Sequence, residues 1–182
     1  NRAVISTRSK KVGVYLHWNG GRDSVTAFLE YCKLQNYPSP EKDDYGWARL
    51  CQTIGNFFGG SSSLGIDEYY KLDTDNYDNG VYIIENWEIV GREFKRNEEQ
   101  NEYELKEMLK AIDEKQPSHI QLGELLDAVE VETKDLLIGD EIFIQDYTGR
   151  YEKFKVIGFG EDRFVNGTNV KDIPYVNKYE NN

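Results

Sequence analysis

The stretch KVGVYLHWNGGRDSVTAFLEYCKL, residues 11–34, predicts a β-strand, a tight glycine loop and an α-helix in that order. The strand is indicated by apolar residues that alternate along one face before Gly20 and Gly21, namely Val12, Val14 and Leu16. The helix is indicated by apolar residues at helical spacing, namely Val25, Phe28, Leu29 and Cys32. Asp23 or Ser24 can cap this helix, because a short side-chain oxygen accepts an N–H group of the first turn.

The glycine loop is a candidate anion site, because backbone N–H groups and the positive end of a helix point to one place. The alternative interpretation is an ordinary β-to-α turn that binds no ligand, because such short connections are common in α/β units. The loop sequence, Asn-Gly-Gly-Arg-Asp-Ser, is similar to the Ser-Gly-Gly-x-Asp-Ser loop of the ATP pyrophosphatase family, with Asn19 in place of the serine. The resemblance implies nucleotide binding as an alternative function, at Asn19, Gly20, Gly21, Asp23 and Ser24. The larger doubly wound domain of that family is not indicated by the rest of the chain.

The composition describes an acidic chain with enough apolar residues to form a core. Its 182 residues include 33 acids and 22 lysines and arginines, which gives a formal net charge of −11, and 38% are hydrophobic. Such a chain is repelled by nucleic acid and anionic membranes and is attracted to basic surfaces. No run approaches the roughly 20 apolar residues of a membrane span, and no secretory leader is visible. Cys32 and Cys51 lie on apolar helix faces and are interpreted as reduced core residues of a cytoplasmic protein.

Residues 1–92 predict an N-terminal α/β domain with two helices on a small sheet. Residues 1–10 are polar and predict a frayed arm or an edge strand. A second helix is predicted from about Asp44 by an apolar stripe, Trp47, Leu50, Cys51, Ile54, Phe57 and Phe58. A further strand is predicted at residues 81–85.

The acids at alternate positions in residues 73–80 suggest a calcium loop, because calcium needs several oxygen ligands from one turn. Their spacing fails the EF-hand pattern, which requires a glycine at the sixth position and a glutamate at the twelfth. The preferred interpretation is a β-hairpin turn at Asn79–Gly80 that leads into the following strand. The sequence therefore predicts no metal site here.

Residues 93–128 predict an acidic helical connector. Residues 93–127 hold 10 acids and 5 bases, and a helix is placed at about residues 98–114. Part of the acidic excess stabilises the start of such a helix through its dipole. The connector divides the chain into three predicted regions.

Residues 129–182 predict a separate small β module, because turn signals recur about every ten residues. Asn166–Gly167 is the strongest hairpin signal of the chain, and Thr148–Gly149 is another turn. The opening of this module resembles SH3-like barrels at four residues, Leu136, Gly139, Asp140 and Ile142. The whole chain is therefore predicted as an α+β protein with a C-terminal SH3-like β-barrel module.

No pattern of residues predicts a catalytic centre. His17 and His119 are about a hundred residues apart in sequence, and neither a Cys-x-x-Cys pair nor a Gly-x-Ser-x-Gly elbow is present. A thiol on an apolar helix face, such as that of Cys32, is normally inert. The sequence therefore predicts no enzymatic activity, no cofactor and no metal.

Three phrases of the sequence carry a second resemblance: VYLHWNGGRDSVTAFLEYCKL, DDYGWARLCQTIGNFFGG and DTDNYDNGVYIIENWEIVGREF. They resemble a family of proteins borne by phages and mobile elements of Gram-positive bacteria. With its length, acidity and two-part layout, the chain resembles in particular the anti-CRISPR inhibitors of type II-A Cas9. The resemblance covers about residues 1–115 and implies a location in the cytoplasm of a bacterial host.

The resemblance and the charge together predict a protein that binds Cas9, or another basic nucleic-acid-handling protein, and blocks DNA binding or cleavage. Carboxylates would stand in for DNA phosphates in a basic cleft. Two acidic clusters are the predicted contacts: Asp73, Asp75 and Asp78, and Glu98, Glu99 and Glu102. Direct DNA binding and membrane binding are not expected. The sequence leaves the oligomeric state open, and an accessory phage protein of unknown role remains an alternative.

Overall fold

A computed structural model describes the chain in four ranges, residues 1–159, 163–165, 168–170 and 174–178. The described residues form an α+β structure, so that the predicted fold class is confirmed at this level. They fall into two units, residues 1–123 and 124–182. Residues 93–123, predicted as part of a connector, lie in the first unit.

The first unit is built on a five-stranded mixed sheet. Its strands are β1 (Ala3–Thr7), β2 (Val12–Leu16), β3 (Leu64–Glu68), β4 (Val81–Glu85) and β5 (Glu88–Glu93). Their order across the sheet is β3-β2-β1-β4-β5. β1 pairs antiparallel with β2 and parallel with β4, and the two outer pairs are antiparallel.

The central strand β1 lies in the segment predicted as a frayed arm or an edge strand, and that prediction is wrong. All five residues of β1 are buried, because strands flank it on both sides and side chains cover both of its faces. The hydroxyl of Ser6 donates to the carbonyl of Val12 at 2.6 Å, which satisfies a polar group inside this buried strand. Basic residues after Thr7 hid the strand in the sequence, since they gave the segment a polar average.

The prediction of a β-hairpin turn at Asn79–Gly80 is also wrong. No strand directly precedes these residues, and β4 takes β1 and β5 as its neighbours. The tight hairpin lies instead between β4 and β5, at Asn86 and Trp87, whose φ angles of 50° and 62° match the positive φ values of a type I′ turn. The side chain of Trp87 is buried there, and its indole N–H donates to the carbonyl of Tyr37 at 2.8 Å.

Three α-helices belong to the described part of the first unit: α1 (Arg22–Leu34), α2 (Asp44–Phe57) and α3 (Leu105–Glu114). α1 contacts both of the others. The two predicted helices are confirmed, and the largest fully buried helical side chains are Tyr31, Phe28, Leu29, Leu50, Ile54 and Ile112. The Phe28 ring contacts that of Phe57 edge-on, with 5.4 Å between centroids.

The predicted start of the second helix at about Asp44 is confirmed, whereas the starts of α1 and α3 differ from those that the sequence predicts. The N-cap of α1 is Gly21 and makes no side-chain cap bond, whereas α2 is capped by Asp43, which accepts the N–H of Tyr45. α3 begins at Leu105, so the helix predicted from residue 98 is wrong over its first seven residues. Residues 98–104 are not helical because their backbone contacts the glycine loop, as described below.

A buried carboxylate joins α3 to α1. Asp113 accepts the hydroxyl of Tyr31 at 2.6 Å and the N–H groups of Leu122 and Gly123 at 2.8 and 3.0 Å. A buried carboxylate is tolerated when hydrogen bonds replace its lost water, as these three do. The same interaction fixes the chain that follows α3, where the structure has a 3₁₀ turn at Gly123–Asp127.

Val4, Val81 and Ile83 form a smaller apolar cluster. None of these three is a helical residue. These residues share one face of the sheet through the pairing of β1 with β4. Tyr15, Tyr69 and Leu72 pack against them. The sheet is therefore covered on two faces, which explains the complete burial of its central strand.

The second unit contains five described strands: β6 (Glu141–Gln145), β7 (Tyr151–Phe159), β8 (Arg163–Val165), β9 (Thr168–Val170) and β10 (Pro174–Lys178). They form a three-stranded antiparallel sheet, β10-β7-β6, and a two-stranded antiparallel sheet, β8-β9. The predicted hairpin residues Asn166–Gly167 lie outside the described residues. No closed barrel is found in the described part of this unit.

The turn predicted at Thr148–Gly149 is confirmed between β6 and β7. Asp146 accepts the N–H groups of Thr148 and Arg150, and Gly149 has a φ of 85°, which a glycine adopts without strain. None of the helices in the described ranges combines the length and the hydropathy that a membrane span requires.

Replacing Ile5 with Ala should lower the free energy of unfolding by about 2–5 kcal/mol, because it leaves a cavity in the fully buried central strand. The matched control is Ile66→Ala on edge strand β3, where the side chain is 55% exposed and the loss should stay below about 1 kcal/mol. Urea denaturation measures both. Equal losses in the two variants would contradict the central position of β1.

Candidate functional site

The two predicted acidic clusters lie at the same end of the sheet. One precedes β4 and the other follows β5, and these strands pair so that Val81 lies opposite Glu93. Residues 73–80 and 94–104 are therefore neighbours, and together they are called the acidic loop pair below. Three side-chain contacts join them: Arg96 with Asp75, Asn97 with the carbonyl of Tyr77, and Asn79 with Gln100.

Glu99 is the most strongly paired carboxylate of the acidic loop pair. Arg22 donates to it with two nitrogens, of which Nη2 lies 2.8 Å from Oε1, and Arg92 Nη1 lies 3.5 Å from the same oxygen. The side chain of Arg92 is only 8% exposed and also donates to the carbonyls of Asn79 and Asn97. The hydrogen bond from Arg22 is the main cause that holds the pKa of Glu99 below its usual range.

Two more of the predicted contact acids are engaged within the chain. Asp78 accepts the backbone N–H of Arg2 at 2.9 Å, and its carboxylate lies 3.7 Å from Arg2 Nε. Asp75 pairs with Arg96, whose guanidinium lies over the ring of Tyr77 at 4.6 Å from the centroid. These acids stabilise the loop conformation, and their charge is largely neutralised at short range.

The other three predicted contact acids remain exposed. The side chain of Asp73 is 56% exposed, with its carboxylate 3.9 Å from Arg2, and Glu98 and Glu102 are exposed as well. Exposed aromatic side chains share the same two segments, namely Tyr77, Phe94 and Tyr103. Carboxylates beside large aromatic side chains are suited to contact a basic protein surface, since aromatic residues supply most of the buried area in such interfaces.

The sequence analysis did not select these aromatic residues. Tyr77 and Phe94 stand in polar segments without helical or strand periodicity, and that lack of periodicity could have marked them as exposed. Tyr103 falls in the part of the helix predicted at residues 98–114 that is not helical, and its side chain is 47% exposed. Arg22 left no such signal, because it binds a carboxylate 77 residues away in sequence. Arg92 lies close to Glu99 in sequence, but it stands at the end of β5 while Glu99 follows in a loop, so no helical or strand spacing marks the pair.

The glycine loop contacts the acidic loop pair. The N–H of Gly20 donates to the carbonyl of Asn1 at 2.7 Å, and the N–H of Arg22 donates to the carbonyl of Gln100 at 3.1 Å. A Cβ atom on Gly21 would lie 2.7 Å from that same carbonyl oxygen, so glycine is required for this close approach. Residues 99–103 therefore run directly along the loop.

The remaining candidate anion-loop residues also have partners within the chain. Asp23 accepts the N–H of Ser24 through Oδ1, and accepts the N–H groups of Glu102 and Tyr103 through Oδ2. Asn19 donates to the hydroxyl of Ser24 at 3.3 Å. A phosphate bound here would have to displace residues 99–103, because the amides of Arg22 and Ser24 already donate to oxygens of the chain.

Other reactive side chains form no centre in the described residues. Burial raises the pKa of Cys32 to about 12 and that of Cys51 to about 11, so both thiols are poor nucleophiles. Within the described ranges, no group of three or more His, Cys, Asp or Glu side chains is arranged to hold a metal ion. His17 contacts the Tyr15 hydroxyl and the ring of Trp18.

Comparisons with protein-family models, curated proteins and solved structures found no match for this chain. The candidate site is therefore defined by geometry alone, as the three exposed acids Asp73, Glu98 and Glu102 of the predicted clusters together with three exposed aromatic side chains on the acidic loop pair.

Replacing Glu99 with Gln should lower the free energy of unfolding by about 1–3 kcal/mol, because it leaves the nearly buried Arg92 and the docked Arg22 without a carboxylate. Glu98→Gln, the adjacent exposed acid, is the matched control and should change stability by less than about 0.5 kcal/mol. Chemical denaturation at pH 7 measures the difference. Equal effects would contradict the structural role of Glu99.

The stabilities of the Glu99→Gln and Glu98→Gln variants should depend differently on pH in the acidic range. The pKa of Glu99 is lower in the folded protein than in the unfolded chain, where it is about 4.3. The contribution of Glu99 to the free energy of unfolding is therefore present at pH values above its pKa in the unfolded chain. It is lost as the pH falls through its lower pKa in the folded protein. Stability measured from pH 7 to pH 2 should fall less steeply for Glu99→Gln than for Glu98→Gln. Parallel curves would contradict the lowered pKa.

Proposed function

We propose that this protein is an anti-CRISPR inhibitor that binds Cas9 through the acidic loop pair and blocks DNA binding or cleavage without chemistry of its own. The observation that carries the proposal is the convergence of two acidic segments, separate in sequence, on one surface with exposed carboxylates and aromatic rings. The phrases that resemble a phage-borne family supply the choice of Cas9 as the partner.

The chemistry of Cas9 suits such a surface. Cas9 reads the PAM through arginines and holds nucleic acid in a positively charged channel. Asp73, Glu98 and Glu102 can stand in for phosphates on those cations, while the aromatic side chains add buried contact area. The net charge of −11 favours approach to a basic protein and opposes direct contact with DNA.

The three paired acids serve the surface indirectly. Asp75, Asp78 and Glu99 hold the two segments in place, so that the exposed carboxylates are ordered before a partner binds. A preordered surface loses less conformational entropy on association than a mobile loop does. This division revises the proposed contact set to Asp73, Glu98 and Glu102.

Nucleotide binding at the glycine loop is the alternative function, and the local geometry does not favour it. Residues 99–103 occupy the loop, and the amides of Gly20, Arg22 and Ser24 donate to oxygens of the chain itself. An accessory role in a phage would use the same exposed surface with another basic partner.

For the second unit, the proposed fold is an SH3-like barrel. Its support is the antiparallel order β10-β7-β6 together with the β8-β9 pair, because small barrels are built from short antiparallel strands of this kind. Backbone NOEs that connect β8 and β9 to both edge strands of the larger sheet would establish closure. Their absence in a well-assigned spectrum would leave an open sheet.

Purified Cas9 with its guide RNA should lose DNA-cleavage activity when this protein is added in molar excess. The triple variant Asp73→Asn, Glu98→Gln and Glu102→Gln should inhibit about tenfold less well, because three exposed ion pairs contribute about 0.5 kcal/mol each. Inhibition by the unmodified protein should also weaken as salt rises, because salt screens exposed charges.

The matched control changes three exposed acids elsewhere in the first unit, Glu68→Gln, Glu107→Gln and Glu114→Gln. It removes the same charge and should inhibit nearly as well as the unmodified protein. Equal weakening by both triple variants would reduce the effect to net charge and contradict the assigned surface. Full cleavage in a large excess of the protein, across several type II-A Cas9 enzymes, would overturn the proposed function.

A further inference from the structure

A cleft of about 370 Å³ opens at the end of the sheet opposite the acidic loop pair. Thr7 and Ile84 lie at its floor, and they are paired residues at the carboxyl ends of the parallel strands β1 and β4. Clefts outside the carboxyl ends of parallel strands are common ligand sites in α/β sheets. The volume lies within the range of about 300–1,000 Å³ that small-molecule sites have.

The chain segments around this cleft differ in chemistry. The β1–β2 turn supplies cations and hydroxyls, namely Arg8, Lys11, Thr7 and Ser9. Pro40 and Glu41, which precede α2, and Asp44 and Trp47, in its first turn, supply two carboxylates and an apolar part, and Glu85 at the end of β4 supplies a third carboxylate. A ligand in the cleft would therefore meet donors for an anion, acceptors for amino groups, and an indole on which a flat ring can stack.

Some of these charged groups already have partners, and others do not. Arg8 lies 3.4 Å from Glu85 in an exposed ion pair. Glu41 accepts the Ser39 hydroxyl and the N–H of Asn86, both on Oε1, and these bonds lower its pKa although partial burial opposes the shift. Among the residues that the structure describes, no ion pair includes Lys11 or Asp44.

We propose that this cleft binds a nucleoside monophosphate whose base carries an exocyclic amino group. The phosphate is placed toward Lys11, Arg8 and the hydroxyls of the β1–β2 turn, and the base toward Trp47. Asp44 and Glu41 accept hydrogen bonds from the amino group, as carboxylates do from amino-bearing bases. An anionic group and an amino group at the two ends of one flat ligand match the charges that the cleft presents.

This site is separate from the glycine loop and from the acidic loop pair. The glycine loop lies beside Asn1 and Ala3, at the start of β1, whereas the cleft lies at the end of the same strand. Ligand binding in the cleft therefore needs no displacement of residues 99–103. Failure of Cas9 inhibition would leave this proposal intact, and the reverse also holds.

The test uses the full chain labelled with ¹⁵N and titrated with AMP, UMP and adenosine as probes. AMP should shift the amide signals of residues that line the cleft, with Thr7, Lys11 and Asp44 among them. UMP, whose base lacks an amino group, and adenosine, which lacks the phosphate, should each bind about tenfold more weakly, since each loses one charge-assisted hydrogen-bonding group.

Two exposed variants assign the ends of the ligand. Lys11→Gln should weaken AMP binding about tenfold and leave adenosine binding unchanged, whereas Asp44→Asn should reduce the preference for AMP over UMP. The controls are Lys71→Gln and Asp67→Asn, an exposed pair at the edge of the sheet and outside the cleft. No shift of cleft signals at millimolar AMP would overturn the proposal, as would unchanged AMP binding in both cleft variants.

Discussion

The position of β1 in the middle of the sheet is the constraint on which the first unit depends. Without this strand, the β2–β3 pair and the β4–β5 hairpin would be separate, because no other pairing among the described residues joins them. Its parallel pairing with β4 brings the turn after Thr7 next to the end of β4, which forms the cleft. At the other end, it brings Arg2 next to Asp78, which helps to order the acidic loop pair.

Counting acids in the sequence overestimated the charge that the protein presents at this surface. Of the six predicted contact acids, Asp75, Asp78 and Glu99 are partly buried and bound to arginines of the same chain, whereas Asp73, Glu98 and Glu102 are exposed to a partner. The paired acids stabilise the conformation of the two loops, and the exposed acids would attract a basic partner. Salt should therefore weaken association more than it weakens the fold, since Glu99 and its partner Arg92 are only 24% and 8% exposed and the carboxylates offered to a partner are more exposed.

The sequence predicted the elements that carry local periodicity, and it failed where distant contacts decide the structure. The strand and helix around Gly20 and the second helix were correct, because their apolar residues repeat at 2 or 3.6 residues. The burial of β1 depends on pairing with a strand 77 residues away in sequence, and the non-helical course of residues 98–104 depends on Asp23. The clustering of the six acids was predicted within each segment, but their meeting on one surface required the β4–β5 hairpin.

The β1–β4 pairing also affects how the chain reaches its native state. The pairing of β1 with β2 is local, because only four residues connect these two strands. Val4 and Val81, by contrast, are partners although 77 residues separate them. Such a topology has a high contact order, which slows folding because a long loop must close before the pairing is rewarded. During synthesis, β1 leaves the ribosome well before β4 exists, and until then its five apolar and small residues have only β2 as a neighbouring strand. The nascent chain can associate wrongly during that interval. Factors that bind extended apolar segments would protect β1 until β4 has been synthesised.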